Sequence, residues 1–527
     1  MNKCVSIKEM RQLEALTVDS GICEFDLLCS AGIGAGRLIA EYLRKMPKTQ
    51  AKRVVILAGG GKNGGDGFVV ADYLQENTDF PVFIYLKDHP GELRGIAGNY
   101  FSQIEDEIHW QQINELEEED FLPGDIIVDA LCGIGCTTPL CGRIAQWVKT
   151  VNRLSYPVIS LDIPSGLNAD TGCAELAVKA DYTISMGMCK KGLVINEGPR
   201  YCGKLAVSSI GIPQMYTDAL PEESITYVDE TLIAPFFKRR ANDAYKNSVG
   251  RVLIIAGSLR YPGAAKLAVM GALRSGGGMV HLAYPAHGDN ICCDLPAAVL
   301  RHPVSNLSGG FFDLHSIAEI DLLTELADFI VIGPGIGRND ATIDFLRHVL
   351  KIEKPMLIDA DALTLLSSFP DAPEIIRHRC CGTVLTPHVG ELRGLLTAFA
   401  KELQIELPDE ITWGDERIKH ALVTALKLNC IVLHKGCKSI IASPEGEIAV
   451  NSSGSPALAT AGSGDVLSGL IGAFASSGEM SIFNAVICGV FVHGRAGENT
   501  PLAMRSLIAD DLPDLIAGEL RKLSPFA

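Results

Sequence analysis

Three segments in the N-terminal part of the chain carry residue types that bind anions and move protons. Ala58-Gly59-Gly60-Gly61-Lys62-Asn63-Gly64-Gly65-Asp66-Gly67 joins the apolar run Arg53 to Leu57 to a helix expected from near Phe68. Its glycines permit positive φ and close backbone approach, and the free N–H groups of a helix start suit phosphate. Gly59, Gly61 and Gly64 fit the G-x-G-x-x-G spacing of a dinucleotide loop, with Asp88 after the next strand as a ribose acceptor. Asn63 and Asp66, however, place polar side chains where such a loop uses mainly backbone. Asp129 opens Asp129-Ala130-Leu131-Cys132-Gly133-Ile134-Gly135, and Asp162 opens Asp162-Ile163-Pro164-Ser165-Gly166-Leu167-Asn168-Ala169-Asp170, each after an apolar run. Ligands of open α/β sheets lie at the carboxyl ends of strands, so Asn63, Asp129, Asp162 and Ser165 could converge on one crevice. Their oxygens suit a hard monovalent cation or ligand hydroxyls. The same residues also serve as helix caps and turns, an alternative that three such loops at successive strand ends weaken.

The segment from Asn451 to Gly469 carries a different chemistry. Small residues around Gly462, Ser463 and Gly464 form a turn whose N–H groups make an anion hole at a helix start, with Asp465 beside it. A carboxylate next to a phosphate cradle is placed to deprotonate a hydroxyl attacking a terminal phosphoryl group. The competing reading, a closely packed small-residue helix with Asp465 as its N-cap, gives Gly462 and Gly464 no task at its entrance. Upstream, His434-Lys435-Gly436-Cys437-Lys438-Ser439 ends a strand and could hold a nucleotide's adenosine and phosphates, or form a surface hairpin. Ala264 in Tyr261 to Lys266, Gly335 in Gly333 to Gly337, and His388 in Leu385 to Glu391 also follow strand ends. His388 could hydrogen-bond a substrate amide or phosphate.

These residues need a scaffold, and the apolar pattern supplies one. Short β-branched runs alternate with helix-like stretches, the signature of an α/β protein with parallel sheets covered on both faces. In the first part the strands read 53–57, 82–86, 126–128, 158–161, 182–185 and 205–207, preceded by helices near 6–18 and 24–45. Periodicity fades between about 212 and 235, where Pro213, Pro221 and Pro235 accumulate. A second series follows at 252–255, 279–283, 329–332, 356–358, 384–385, 431–433 and 439–441. Two domains are expected, 1–225 and 235–527.

With 527 residues the chain exceeds the roughly 250–300 at which one core stops growing, which agrees with two domains. Hydrophobic residues make up 47% and charged residues 21%, so a mainly disordered chain is excluded. Sixty-three acidic against 46 basic residues give a net charge of -17, and no Lys/Arg cluster stands ready to neutralise a phosphate backbone, so a nucleic-acid partner is not expected. No basic flank with an apolar signal core opens the sequence, and no run of 18 apolar residues spans a membrane. A soluble, cytoplasmic protein is expected. Its 16 cysteines then read as reduced thiols, and Cys132, Cys136 and Cys141 lack the spacing and the nearby His of a zinc site.

The motifs A-G-G-G-K-N-G-G-D-G, D-A-L-C-G-I-G and L-D-I-P-S-G-L-N-A-D-T-G resemble the signature of NAD(P)H-hydrate epimerases over nearly all of the first 210 residues. That resemblance implies a Rossmann-like three-layer α/β/α domain that inverts C6 of hydrated nicotinamide nucleotides. It further implies potassium ligands at Asn63, Asp129 and Ser165. Substrate contacts would fall on Lys62, Asn63, Gly64, Gly65 and Asp66, on Gly133, Ile134, Gly135, Cys136, Thr137, Thr138 and Pro139, and on Asp162. Asp162 is the acid/base candidate, assisted by Lys190.

From about 240 to 525, R-V-L-I-I-A-G-S, Y-P-G-A-A-K-L-A, G-P-G-I-G, L-T-P-H-V-G-E, H-K-G and A-G-S-G-D-V-L-S-G resemble ADP-dependent NAD(P)H-hydrate dehydratases, which are ribokinase-like α/β proteins. This implies phosphorylation of the hydrate's 6-hydroxyl from ADP, with magnesium, followed by phosphate elimination. Asp465 would be the base. Lys435, Gly436, Cys437, Lys438, Ser439 and Gly464 would bind the AMP portions, and Ala264, Gly335 and His388 would line the hydrate site. The implied partners are the hydrates NADHX and NADPHX, ADP and further copies of the chain in a homo-oligomer. A small-alcohol kinase that stops at phosphorylation, and a first domain used only for binding, as in RNA-decapping scaffolds, stay open as rivals.

Overall fold

Alternate residues of the buried strands face opposite ways, and in the first unit this divides the apolar side chains into two cores. The computed structural model describes residues 3–46, 52–93, 95–136, 139–220, 225–246, 249–286, 294–405 and 416–524. The chain forms two compact units, Met1–Ile225 and Thr226–Ala527.

In the first unit, seven parallel strands lie in the order β4-β3-β2-β5-β6-β7-β9. They are β2 (Arg53–Ala58), β3 (Val82–Leu86), β4 (His109–Gln112), β5 (Asp125–Ala130), β6 (Val158–Leu161), β7 (Tyr182–Met186) and β9 (Lys204–Ser208). Val54, Ile56 and Ala58 of β2 pack with the helices Glu24–Lys45 and Lys62–Asn77, whereas Val55 and Leu57 pack with Trp147 and Val148 of the helix Gly142–Val151. The sheet is therefore the middle of three layers. A small parallel pair, β1 (Cys4–Val5) with β8 (Cys189–Lys190), sets Val5 opposite Lys190. Strand β4 escapes sequence reading because all four of its residues are exposed at the sheet edge, which leaves no apolar alternation.

Strand β2 lies between β3 and β5, so the chain leaves it on one side and returns on the other. The crevice at this switch of direction is where α/β sheets bind ligands. Asn63 follows β2 and Asp129 ends β5, so both fall at the carboxyl edge of that switch.

The second unit holds a ten-stranded sheet in the order β10-β19-β18-β17-β16-β15-β14-β11-β12-β13. The members are β10 (Thr226–Val228), β11 (Arg251–Ile255), β12 (Met279–Pro285), β13 (Leu300–Val304), β14 (Phe329–Ile332), β15 (Met356–Ile358), β16 (Thr383–Leu385), β17 (Ile431–His434), β18 (Ile440–Ala442) and β19 (Ile448–Asn451). The sheet is not wholly parallel: β18 runs antiparallel to both β17 and β19. A connection as short as 435–439 reaches only an antiparallel neighbour, since a parallel return needs a crossover of a dozen or more residues. Residues 226–234, between the two expected domains, give this sheet the strand β10, parallel to β19, followed by the short helix Glu230–Ile233. The helix Ser463–Ser476 lies tightly against the helix Pro262–Arg274, and a Cβ at Gly469 would stand only 1.8 Å from the Ala268 carbonyl oxygen. Close helix packing therefore falls on the same helix that carries Gly462 and Gly464 at its entrance.

Candidate functional sites

A cleft of about 1040 Å³ opens at the carboxyl edge of the first sheet, lined by Lys62, Asn63, Asp66, Gly133, Ile134, Gly135, Cys136, Asp162 and Lys190 among others. The structure thus brings most of the expected epimerase residues to one place. Gly64 and Gly65 lie buried behind the lining, Pro139 is exposed, and Thr137 and Thr138 fall outside the described residues.

The glycines act differently from expectation. The helix after β2 starts at Lys62 rather than near Phe68, and none of Gly59, Gly60, Gly61, Gly64, Gly65 or Gly67 takes a positive φ. Space is the constraint instead. A Cβ at Gly64 would stand 1.8 Å from the Gly59 carbonyl oxygen, and one at Gly59 would stand 2.1 Å from that of Leu131. These contacts draw the end of β2, the helix start and the loop after β5 together.

Asp162 leaves β6 with φ 65°, a left-handed conformation that costs a non-glycine residue roughly 1–2 kcal/mol. The turn aims its carboxylate inward. Oδ1 accepts from Lys190 Nζ at 2.5 Å, and Oδ2 accepts from the Ile134 N–H at 3.2 Å. Lys190 is 1% exposed and also donates to the Met186 carbonyl oxygen and Ser185 Oγ. Burial, together with the charges of Asp162 and Glu14, pushes the Asp66 carboxyl well above the usual range. Glu14 is itself raised, first by burial. It sits on the polar face of the helix Ile7–Asp19 and gave the sequence no signal beyond that of a solvated glutamate.

Beneath the cleft, Asp129 accepts from Ser165 N–H, Ser165 Oγ and Ser160 Oγ at 2.9, 2.6 and 2.8 Å. Burial raises its carboxyl despite these bonds. Asn63 is 7% exposed, and neither its amide oxygen nor its amide nitrogen has a hydrogen-bond partner. A Cβ at Gly133 would lie 3.0 Å from Asp162 Oδ2 and 3.4 Å from Asn63 Cβ, which puts the unsatisfied amide close to the catalytic candidate. Lys62 points outward to Glu24 at 3.2 Å, and both side chains are exposed. Asp88 pairs with Lys87 on the cleft wall.

In the second unit Asp465 stands on the first turn of the helix Ser463–Ser476, whose N-cap Gly462 takes φ 88°. Burial, then the charge of Asp359, pushes its carboxyl up to about 7, against the pull of Lys435. Lys435 turns inward: its Nζ lies 2.7 Å from Asp359 Oδ1 and 4.0 Å from Glu391 Oε2. Ser468 Oγ donates to Asp359 Oδ2 at 2.6 Å. Burial opposes ionisation of Asp359, but Lys435 and the hydrogen bonds from Lys435, Ser468 and Thr386 hold its carboxyl below the usual range. Gly464 closes the group, since a Cβ there would lie 3.5 Å from Lys435 Nζ.

Asp359, Asp361 and Glu391 were not singled out from the sequence. Asp359-Ala360-Asp361 follows β15, and Ala360 adopts φ 52°, so the rule that selected Asp129 and Asp162 applies there too. Asp361 accepts from Gly337 N–H at 3.0 Å and Arg338 Nε at 2.6 Å, tying down the loop that carries Gly335. Gly335 takes φ 65° and abuts Ala264, whose Cβ a Gly335 side chain would meet at 2.9 Å. His388 caps the helix Val389–Leu403, its Nδ1 accepting from Gly390 N–H and Glu391 N–H at 3.0 and 3.3 Å. That arrangement leaves Nε2 as the ring's donor on a side chain that is 58% exposed. In the 435–439 turn, Lys438 takes φ 50° and its Nζ donates to the Ser452 carbonyl oxygen at 2.6 Å. Gly436, Cys437 and Ser439 complete the turn, with Ser439 Oγ bonded to Gly436.

Residues 252–518 match the family described as NAD(P)H-hydrate dehydratase, and residues 25–192 match the one described as YjeF-related protein N-terminus. The bifunctional NAD(P)H-hydrate repair enzyme of Coxiella burnetii is 32% identical over 96% of this chain and 96% of its own. That of Thermofilum pendens is 34% identical over 94% of this chain and 91% of its own. The solved ADP/ATP-dependent NAD(P)H-hydrate dehydratase of Bacillus subtilis, co-crystallised with ATP and magnesium, is 25% identical, covering 57% of this chain and 99% of its own with a TM-score of 0.46. With both family matches in chain order and full-length relatives above 30% identity, the chain belongs to the family of bifunctional NAD(P)H-hydrate repair enzymes.

Proposed function

We propose that the first unit interconverts the C6 epimers of hydrated NADH and NADPH, and that the second returns one epimer to the reduced nucleotide at the expense of ADP. The observation that carries this reading is the position of Asp465 on the first turn of a helix, next to the half-buried Lys435–Asp359 pair, where burial pushes its carboxyl up to about 7. A base of that strength can accept a hydroxyl proton near neutral pH. As Asp465 takes that proton, the hydrate's 6-oxygen bonds to the terminal phosphorus of ADP and the bond from phosphorus to the AMP oxygen breaks. Phosphate then leaves C6 with the C–O electron pair, and loss of the C5 proton restores the ring double bond. The N–H groups around Ser463 and Gly464 face the negative charge of the transferred group. The 435–439 turn holds the AMP portion, and Ala264, Gly335 and His388 border the nicotinamide.

In the first unit, inversion at C6 requires a bond at that carbon to break and re-form. As the hydroxyl proton leaves, the C6–N1 bond opens with its electron pair on nitrogen to give an aldehyde, and reclosure on the opposite face with return of the proton gives the other epimer. Asp162 moves that proton, with Lys190 fixing the carboxylate. The oxygens of Asn63, Asp129 and Ser165 form a buried donor set suited to a monovalent cation, and the unpartnered Asn63 amide supports potassium there. Potassium would supply charge that offsets the buried Asp129 and anchors ligand oxygens. Magnesium would enter on the nucleotide's phosphates. Among the described residues no group of three or more His, Cys, Asp or Glu is arranged to hold a metal ion. Among those residues no helix is long and apolar enough to cross a membrane.

Replacing Asp465 by Asn tests the central assignment. Dehydration should fall roughly 10²- to 10⁴-fold, the usual worth of a general base, with ADP still bound by calorimetry. Unchanged turnover would contradict it, and a stable phosphorylated product from the parent protein would make the second unit a kinase.

A further inference from the structure

The second unit holds a cation that phosphoryl transfer leaves without a task. Arg338 ends the loop 333–338 after β14, and its side chain is 59% exposed. Its Nε donates to Asp361 Oδ1 at 2.6 Å, while Asp361 Oδ2 accepts from Gly337 N–H at 3.0 Å. Asp361 is buried, so the arginine is fixed by its inner nitrogen. Neither terminal nitrogen of the guanidinium has a hydrogen-bond partner among the described residues. An arginine held in this way keeps both amino groups for a ligand, and their planar fork matches two oxygens of a phosphate.

The loop that carries Arg338 is braced against the residues expected to border the hydrate. Gly257 N–H donates to the Pro334 carbonyl oxygen at 2.8 Å, and Ser258 Oγ donates to that of Gly335 at 2.7 Å. A Cβ at Gly335 would lie 2.9 Å from both Ala264 Cβ and Tyr261 Cβ, so these three residues meet at one point. Arg338 stands three residues beyond it. Asp359, two residues before Asp361, is bonded instead to Lys435 and Ser468. The left-handed Ala360 between them sends one carboxylate to the transfer site and the other to the arginine. Asp359, Asp361 and Glu391 crowd Asp465 with like charge, and Lys435 is already paired. A polyanionic substrate approaching these carboxylates needs a cation of its own.

We propose that Arg338 anchors the diphosphate of the dinucleotide hydrate. This rests on the second unit being the dehydratase and extends that reading from the nicotinamide ring to the rest of the substrate. With the ring beside Ala264, Gly335 and His388, the diphosphate begins one ribose away, a gap that a long side chain rooted three residues past Gly335 spans. The phosphates of ADP lie with the 435–439 turn and the N–H groups at Ser463 and Gly464, so Arg338 serves the hydrate and not the nucleotide. A dinucleotide carries this charge and a small neutral alcohol does not. Arg338 is therefore the residue that selects a hydrated dinucleotide over the substrate of a small-alcohol kinase.

The test measures ADP-dependent dehydration of NADHX and NADPHX by the full chain and by its Arg338→Ala and Arg338→Lys variants, with epimerisation of the same hydrates as an internal control. Arg338→Ala should raise KM for both hydrates roughly 10- to 100-fold, the usual worth of hydrogen bonds to a charged group. Its kcat, its KM for ADP and its epimerisation should stay close to those of the parent. Arg338→Lys keeps the charge but loses the paired donors, and its KM should fall between the two. Hydrate KM values unmoved by Arg338→Ala would overturn the proposal. So would a rise confined to NADPHX, which would place the 2′-phosphate at Arg338, or a fall in kcat with KM unchanged, which a mere loop brace would give. If the parent dehydrates neither hydrate, the functional reading fails, and calorimetric titration with NADH then decides the anchor. One binding phase of the parent should weaken by the same factor in Arg338→Ala, and an isotherm identical to the parent's would overturn it.

Discussion

Lys435 Nζ lies 2.7 Å from Asp359 Oδ1, so the lysine expected to hold a nucleotide is already paired inside the acidic group that surrounds Asp465. The pair sets the base strength of Asp465 from both directions: the Asp359 charge raises its carboxyl and Lys435 lowers it, with burial the larger effect. Dehydratase kcat/KM should therefore rise with pH through about 7, as Asp465 loses its proton. Asp359→Asn removes a negative neighbour and leaves the lysine, so the acid limb should move to lower pH. An acid limb unmoved by that change would contradict the coupling.

The same raised carboxyl has a consequence for stability. A folded-state pKa above the unfolded value favours folding when the group is protonated, and that advantage is lost as pH rises through about 7. Asn imitates the protonated form at every pH. Asp465→Asn should therefore raise Tm more at about pH 8 than at about pH 5, measured by calorimetry at both.

Asp162 and Lys190 form a buried ion pair, and breaking one by removing a partner costs about 3–5 kcal/mol. Lys190→Met should both destabilise the first unit and impair epimerisation. Asp162→Ala should abolish epimerisation while the dehydratase continues to consume its own epimer. Normal epimerisation by Asp162→Ala, followed by proton NMR of the two hydrates, would remove Asp162 from the mechanism.

The unpartnered amide of Asn63 predicts a cation effect. Epimerase activity of the parent should rise with potassium and fall when a bulky organic cation replaces it. Asn63→Ala should be slow and indifferent to potassium, and a full potassium response in that variant would contradict the assignment.

Gly64→Ala sets a methyl group where a Gly59 carbonyl oxygen stands 1.8 Å away. Overpacking of this kind costs about 1–3 kcal/mol, so urea unfolding of the variant should occur at lower concentration. Unaltered stability would show that the loop yields without strain.

Much of this architecture was legible because buried parallel strands read as apolar runs. Val82–Leu86, Val158–Leu161, Phe329–Ile332 and Met356–Ile358 agree residue for residue with the pattern. The strands His109–Gln112 and Leu300–Val304 carry mostly exposed edge residues, and nothing in their composition separates them from loop. Asp465, Asp162 and Asn63 announced themselves through their glycine neighbours. Glu14 and Glu391 did not, because each comes from a helix whose local sequence suits a solvated face, and only tertiary packing turns them toward other acids. The left-handed Ala360 between Asp359 and Asp361 is equally invisible in sequence, since alanine gives no sign of a positive φ.

The most direct test of the two-activity account is the recovery of reduced-nicotinamide absorbance from a mixed-epimer preparation of hydrated NADH. The protein is supplied with potassium, magnesium and ADP. The account predicts complete recovery, because the first unit keeps converting the unused epimer into the one the second unit dehydrates. A plateau at one epimer's share would contradict the epimerase assignment, and no recovery despite bound ADP would contradict the dehydratase.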